Sequence, residues 1–573
     1  MLKIDGVLLK QMIISGANNL YNHYPEVDSL NVFPVPDGDT GTNMNLTMTS
    51  GLTEIQNSSD ASVYNIAKSF SRGLLMGARG NSGVILSQIF RGFAQGLKGK
   101  DEVDALELAS AFDSGRQIAY KAVMSPVEGT ILTVVREAST ELSSKVRRNM
   151  PIDEAMQIFL DEAKASLIRT PDLLPVLKEV GVVDSGGAGF VKIIEGFLLA
   201  LQNKIVQRNM ADVTVGSSTN VKLGGSKIGF GKEKFYRINF VLALPVQEAA
   251  SASGKKEFIE SRFSSILQAH GKENEVKVNG LEVQASILTQ HPGNILSYAQ
   301  QFGEFASISI DTEGGKGFGS KAKEETKLKE TAPVVEEKKE EVAPKQVEPL
   351  GEKKKYGMIS CCSGKGIEEI FKAQNVDQIV SGGQTMNPST QDFVAAVGKI
   401  NADVVFIFPN NSNIILAANQ ASEIISDKKV IVIPTKTIPE GIVSSMMFNP
   451  EVEVDENTSE MNEAISTVKT GQVTFAIRDT SVDGVEVHKD DYMGLSGKKI
   501  LISIPDKIVA AKKLLEGMVD DMSSVITIIC GEDVTPEEKE KFVSWVDKKY
   551  GNDVDIDVKD GLQPVYSFII GVE

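Results

Sequence analysis

The sequence predicts a multidomain chain: an all-α domain, then a small α+β domain, then an α/β domain. Three observations predict it. Apolar residues recur at helical spacing up to about residue 210, strand-like and helical runs mix between about 230 and 312, and strands alternate with helices from Tyr356 onward. The length of 573 residues points the same way, because a single apolar core stops growing well before that size.

Residues 1–210 read as the helical domain. The opening "MLKIDGVLLKQMIISGANNL" carries Lys3, Asp5, Lys10 and Gln11 inside its apolar pattern, which suits an amphipathic helix and not a signal peptide. Val63, Ile66, Ala67, Phe70 and Leu74 form one helical stripe, Ile85, Leu86, Ile89, Phe90, Phe93 and Leu97 a second, and Ile194, Phe197, Leu198 and Leu201 a third. A polar Gly/Ser-rich stretch over 212–228 reads as a linker. Within 230–312, "YRINFVLAL", "LEVQASIL" and "ASISID" read as strands, with Phe235, Tyr236, Phe240 and Leu242 as core candidates. Residues 313–355 are dominated by Lys, Glu, Pro and Ala and read as a disordered tether, since they offer too little apolar surface to offset ordering entropy. Over 356–573 the strands "YGMISCC", "ADVVFIFP" and "KKVIVIPT", separated by helical runs, predict a parallel sheet. A last unit over 491–573 repeats the same alternation, so that 356–490 and 491–573 read as two subdomains.

The formal net charge of −17 excludes a nucleic-acid partner, which demands a basic face, and disfavours an anionic membrane surface. Three cysteines, two of them adjacent, without a CxxC pattern indicate a reduced, cytoplasmic protein. Cys361 and Cys362 end an apolar strand and read as buried. The four histidines are scattered, so they suggest neither a metal cluster nor a triad. No apolar run reaches about 18 residues, so no transmembrane segment is expected.

Four helices of the first domain follow turns rich in Gly, Asp, Ser, Thr and Asn. "NVFPVPDGDTGTNMN" leads into Met44 and Met48, "GARGNSG" into Val84, "SPVEGT" into Ile131 and "DSGGAG" into Phe190. Free amides at helix N-termini, with glycines that admit a bulky anion, favour a polyphosphate held by several such ends. Ordinary capping uses the same residues. Asp37 and Asp39, one glycine apart, can aim two hard carboxylates at one Mg2+; a solvated Asp-Gly turn is the alternative. There is no GxxxxGK[ST] and no protein-kinase signature set.

These motifs, with "RTPDLLPVLKEVGVVDSGGAGF", resemble the ATP-binding domain of the dihydroxyacetone kinases. With the C-terminal "GGQTMNPST", "FPNNSNIILAANQA", "VIPTKTIPEG" and "VKTGQVTFAIRDTSVDGVE", the chain resembles the ATP-binding subunit of the bacterial fatty acid kinases over nearly all of its length outside the tether. The resemblance implies a helical barrel that binds ATP and Mg2+. It implies transfer of the γ-phosphoryl group to the carboxylate of a fatty acid presented by a separate fatty-acid-binding carrier protein, giving acyl-phosphate for phospholipid synthesis. Such a transfer rests on positioning and charge neutralisation. Asn31, Asp37 and Asp39 would hold the magnesium; Thr40, Gly41, Thr42, Asn43, Gly80, Asn81 and Ser82 would bind phosphates; Gly129, Thr130, Asp184 and Gly186 would line the rest of the nucleotide. The resemblance leaves a homodimer open.

The family's middle domain carries a cysteine and two histidines that resemble a zinc site. Alignment puts Arg237, Ser286 and Leu288 at those positions and His291 at a turn position. Arginine and leucine cannot ligate zinc, so no zinc is expected.

The α/β region ends its strands in polar loops, "CCSGKG", "SGGQTMNPST", "PNNSN" and "PTKTIP". Ligands gather beyond such strand ends. The loops either dock the lipid carrier, which the resemblance favours, or complete the active site over the phosphate. Arg478 is a catalytic candidate for neutralising phosphoryl charge; a surface salt bridge is the plain alternative. As a flexible coil the tether spans on the order of 30–40 Å and would keep the carrier near the ATP site. Two other functions stay open: a dihydroxyacetone-type kinase for a small hydroxy-ketone, and a non-catalytic nucleotide-binding scaffold for a lipid carrier.

Overall fold

The computed structural model describes residues 1–31, 38–123, 125–209, 236–244, 272–289, 302–312, 350–383, 387–482, 484–497 and 499–573, with isolated positions at 263–264, 267, 295–296 and 299–300. These fall into two compact units, Met1–Val213 with Gln346–Glu573, and Thr214–Lys345.

The first unit begins with β1 (Ile4–Asp5), α1 (Gly6–Ser29), α2 (Thr40–Ile55), α3 (Val63–Gly77), α4 (Gly80–Gly96), β2 (Glu102–Val103), α5 (Ala105–Ala122), α6 (Ile131–Lys145), α7 (Ile152–Leu173), α8 (Pro175–Val180) and α9 (Ser185–Leu201). Each long helix packs on its neighbour in sequence, and α9 returns to pack on α1. The apolar stripes read from the sequence are the inward faces: Val63, Ile66, Ala67, Phe70 and Leu74 are all buried in one core with Phe90, Phe93 and Phe197. A series of rings runs through it, Phe93 to Phe112 to Phe159 to Phe190. No helix among the described residues is long and apolar enough to cross a membrane.

In the second unit, β3 (Tyr236–Ala243), β4 (Lys272–Asn279), β5 (Glu282–Thr289) and β6 (Glu304–Thr312) form an antiparallel sheet ordered β4-β5-β3-β6. Phe240 and Leu242 join its core, Tyr236 is half-buried, and Phe235 lies outside the described residues. The register sets Arg237 opposite Leu288 and Asn239 opposite Ser286, whose hydroxyl donates to Asn239 Oδ1 at 2.7 Å. The three positions aligned with zinc ligands therefore sit on facing strands; His291 lies outside the described residues. Among the described residues no three His, Cys, Asp or Glu side chains converge on a point.

The first unit resumes with β7 (Leu350–Cys362), α10 (Lys365–Ala373), β8 (Gln378–Ser381), α11 (Thr390–Gly398), β9 (Ile400–Phe408), α12 (Ile415–Ile424) and β10 (Lys429–Val432). These strands form the expected parallel sheet, ordered β10-β9-β7-β8. It is buried on both faces: Met358, Cys362, Phe406 and Phe408 face one core, while Ile359, Cys361, Val405 and Ile407 face another. β7 starts before Tyr356, so residues 350–355 of the stretch read as a tether belong to a strand. Residues 313–349 and the 212–228 linker lie outside the described residues. All three cysteines are free and buried, and burial pushes the Cys362 thiol up to about 12 and that of Cys530 to about 11.

After α13 (Ile438–Met446) and α14 (Val454–Ile465) come β11 (Lys469–Phe475), the hairpin β12 (Thr480–Val482) and β13 (Val485–Val487), β14 (Tyr492–Ser496), β15 (Lys499–Ile504), α15 (Lys507–Glu516), β16 (Val525–Cys530), α16 (Pro536–Tyr550), β17 (Asp555–Asp560) and β18 (Tyr566–Val572). Outside the hairpin these strands make a second sheet, β15-β14-β11-β18-β16-β17. Two expectations are corrected here. The division between sheets falls before β11 and not near 490, because β11 pairs with both β14 and β18 inside the second sheet. That sheet also departs from the parallel arrangement of the first. Only β16 and β17 are parallel in it, because β18 runs back between β11 and β16.

Candidate functional site

Two described segments border the turn before α2. Asn31 and Gly38–Asp39 flank it; Asp37 lies outside the described residues. Asp39 is the N-cap of α2, and its backbone carbonyl accepts the Asn43 amide at 2.7 Å, yet its carboxylate makes no capping bond to the helix. Asp39 Oδ2 instead accepts Asn387 Nδ2 at 2.6 Å. The capping carboxylate comes from the last turn of α1. Asp28 accepts the Thr42 amide at 3.0 Å and the Thr42 hydroxyl at 2.7 Å, and also the Gly41 amide. Burial raises the Asp28 carboxyl while these hydrogen bonds pull it down. A Cβ on Gly41 would run into the Tyr24 carbonyl, so only glycine lets α1 lie this close. The phosphate role expected of Gly41 and Thr42 is corrected: amides that already donate to a carboxylate are not open to an oxyanion. Thr40, the first residue of α2, is half-buried beside them.

The α6 and α9 turns are also filled from within. Thr130 Oγ1 accepts the Leu132 amide at 3.4 Å and donates to the Val127 carbonyl. Asp184 Oδ2 accepts the Gly187 amide at 2.6 Å, and the same carboxylate accepts the Ile131 amide of α6. One half-buried carboxylate thus joins two helix starts, and desolvation lifts its pKa to about 6. Gly186 lies beside Asp184 and Ile131, and Gly129, at φ +80°, lies against Thr170 and Leu174. The structure therefore gathers Gly129, Thr130, Asp184 and Gly186 in one place.

The start of α4 differs. Its N-cap, Arg79, makes no side-chain cap, and the Asn81 and Ser82 amides have no acceptor among the described residues. The chain enters the helix through Gly80 at φ +59°, where a Cβ would stand 2.8 Å from Asn43 Nδ2 and 3.5 Å from Asn387 Nδ2. Asn43, Gly80 and Asn387 therefore meet at one point, with Asp39 bonded to Asn387.

What covers this end of α4 comes from the α/β region. Ser389 and Asp392 form the capping box that starts α11 and so fix Asn387 just upstream. Arg79 Nη1 donates to the Asn387 carbonyl at 2.8 Å and lies 3.7 Å from Asp392, while the Thr390 amide donates to the Ala78 carbonyl at 3.2 Å. Asn81 Nδ2 approaches Asn413 Oδ1 at 3.5 Å. Beneath, Ala78 and Val84 share an apolar core with Ile359, Phe393, Ile407 and Ala417. The described parts of "SGGQTMNPST" and "PNNSN" thus lie against a glycine-rich turn of the helical region.

Arg478 is corrected on its salt-bridge reading. It donates to the backbone carbonyls of Ser29 and Asn31, closing the C-terminus of α1, and forms no ion pair among the described residues. Burial lowers its pKa. A separate cavity of about 60 Å3 lies at the ends of β7 and β9, lined by Cys361, Ser363, Asn410, Asn411 and Gln563, and is too small for a nucleotide.

Buried Asn81 Oδ1 and Asn387 Oδ1 have no partner among the described residues. A carboxylate and carboxamide oxygens are the hard donors Mg2+ takes, and open amides at a helix N-terminus suit phosphate, so these residues fit a magnesium-bound polyphosphate. Asp28, Arg79 and Asn387 were not singled out from the sequence. Asn387 stands in a quoted motif, but no spacing links it to a carboxylate 348 positions earlier.

Residues 34–199 match the DAK2 domain, and residues 357–573 match the FakA-like C-terminal domain of the fatty acid kinases. Protein YloV of Bacillus subtilis (strain 168) is 41% identical over 570 residues, 100% of this chain and 99% of that protein. Protein SAR1202 of Staphylococcus aureus (strain MRSA252) is 39% identical over 573 residues, 100% of each chain. Among solved structures, the dihydroxyacetone kinase from C. freundii in complex with AMP-PNP and Mg2+ matches at 18% identity and a TM-score of 0.27, over 34% of each chain.

Proposed function

The chain belongs to the FakA-like family of fatty acid kinase proteins, and on that premise we propose that it phosphorylates the carboxylate of a fatty acid held by a separate lipid-binding protein, giving acyl-phosphate for phospholipid synthesis in the cytoplasm. The observation that carries the reading is the α4 N-terminus, whose Asn81 and Ser82 amides stay open beside Asp39 while the other glycine-rich helix starts are filled by Asp28 and Asp184. The DAK2 match over 34–199 supports a kinase-type site in the same region.

Bound there, Mg2+·ATP supplies the γ-phosphoryl group and the charge neutralisation its transfer needs. Asp39, with Asp37 and Asn31 from the same turn, holds the metal. Asn81 and Ser82 donate to phosphate oxygens, and the positive end of α4 favours their charge. Asn43 and Gly80 let the phosphates approach, and Gly129, Thr130, Asp184 and Gly186 line the remainder of the nucleotide.

The test incubates the full chain with ATP, magnesium and a fatty acid, with and without a fatty-acid-carrier protein, and traps acyl-phosphate with hydroxylamine. Carrier-dependent hydroxamate is expected, and Asp39→Ala abolishes it while the variant keeps a folded circular dichroism spectrum. Transfer to dihydroxyacetone in its place selects the small-molecule kinase. No transfer to either acceptor leaves a nucleotide-binding scaffold.

A further inference from the structure

Every residue given a task above lies in the helical region, yet one side chain in contact with Asp39 comes from the α/β region. We infer that Asn387 is a positioning residue of the metal–phosphate site, so that the α/β region completes that site; the inference rests on the reading of the site just given.

The side chain is 2% exposed, and its Nδ2 donates to Asp39 Oδ2 at 2.6 Å. A carboxylate only accepts, so the carboxamide must meet it through nitrogen. Its Oδ1 is thereby turned away from the carboxylate, buried and without a partner among the described residues. A buried acceptor left unmade costs free energy, which is recovered when a ligand donates to it. The residue is also held in place from behind. Arg79 grips its carbonyl at 2.8 Å, and the Ser389–Asp392 capping box fixes the next turn.

The chemistry suits a magnesium site. Mg2+ takes few protein ligands and keeps several waters, so its site depends on groups that orient the ligating carboxylate and accept from metal-bound water. Asn387 Nδ2 does the first for Asp39, and Asn387 Oδ1 is placed to do the second. Formation of the contact between the two regions then becomes part of metal–nucleotide binding.

The experiment titrates the full chain with Mn2+ in the presence of AMP-PNP, read by electron paramagnetic resonance, and measures AMP-PNP affinity separately in EDTA. Asn387→Ala is expected to weaken Mn2+ binding about 10- to 100-fold, the range for residues that orient a metal ligand. Its AMP-PNP affinity in EDTA and its melting temperature in EDTA should match wild type, which a merely structural role would not give. Asn387→Ser, smaller yet polar, reads the same shift should the alanine variant fold poorly. Mn2+ affinity within twofold of wild type in a folded variant overturns the inference while leaving the site reading intact. Failure of the wild type itself to bind Mn2+ with AMP-PNP overturns both.

Discussion

Replacing Gln420 with alanine should loosen the helical region from the α/β region. Gln420 on α12 is 4% exposed. Its Nε2 donates to the Leu75 carbonyl at 2.6 Å and to Thr390 Oγ1 at 3.0 Å, and its Oε1 accepts Gln88 Nε2 at 2.9 Å and Ser87 Oγ at 3.3 Å. The four bonds do not weigh equally. Ser87 also donates to the Val84 carbonyl at 2.7 Å, so it keeps a partner. The Leu75 carbonyl sits in the last turn of α3, and the Arg79 amide that would continue the ladder donates to Thr47 Oγ1 instead. Gln88 Nε2 has no other acceptor among the described residues. Alanine thus leaves two buried polar groups unpaired, at about 1–3 kcal/mol each. A loss of about 2–6 kcal/mol at this contact follows, before any cavity term. Hydrogen exchange by mass spectrometry on the intact chain is the assay. Amides in 75–88 and 390–398 should exchange at least about 30-fold faster, while those in α7 and α9 keep wild-type protection. Wild-type exchange over 75–88 would refute the claim that this glutamine joins the two regions.

Two further outcomes follow from the site. Gly80→Ala forces an L-residue into φ +59°, at about 1–2 kcal/mol, and sets a Cβ 2.8 Å from Asn43 Nδ2. Affinity for Mg2+·AMP-PNP by titration calorimetry should fall about tenfold, and an unchanged affinity would separate the α4 turn from the phosphates. Asp184 carries a pH dependence whose sign is set by burial, which raises its carboxyl to about 6, above the unfolded value of about 3.9. Its contribution to stability is complete below about pH 4 and is lost as pH rises through about 6, on the order of 3 kcal/mol. Asp184→Asn lacks this titration, so its stability relative to wild type should rise between pH 4 and pH 7 in chemical denaturation. A difference that stays flat with pH would contradict the burial argument.

Much of the fold was legible because its signals are local. The stripe Val63, Ile66, Ala67, Phe70 and Leu74 needs only the 3.6-residue period to declare a helix and its buried face, and all five are buried in α3. The alternation over 491–573 was equally legible, and "VITIIC" and "YSFIIGV" are its strands β16 and β18. Their directions were not, since an apolar run buried on both faces carries no record of which strand lies beside it or which way it runs. Hence the parallel pairing expected of the last unit gave way to β18 running back between β11 and β16.

The site divides along the same line. The sequence by itself determined that glycine-rich turns open α2, α4, α6 and α9, and that Asp39 stands at one of them, because capping and turn chemistry are set within a few residues. Which of those turns stays open to a ligand was decided only by tertiary structure. Asp28 reaches the amides of α2 from another helix, Asp184 bridges α6 and α9, and Asn387 reaches Asp39 from the other end of the chain. The reason is physical: an amide is satisfied by whichever acceptor packing delivers to it, and packing joins residues whose separation in sequence is set by no local rule.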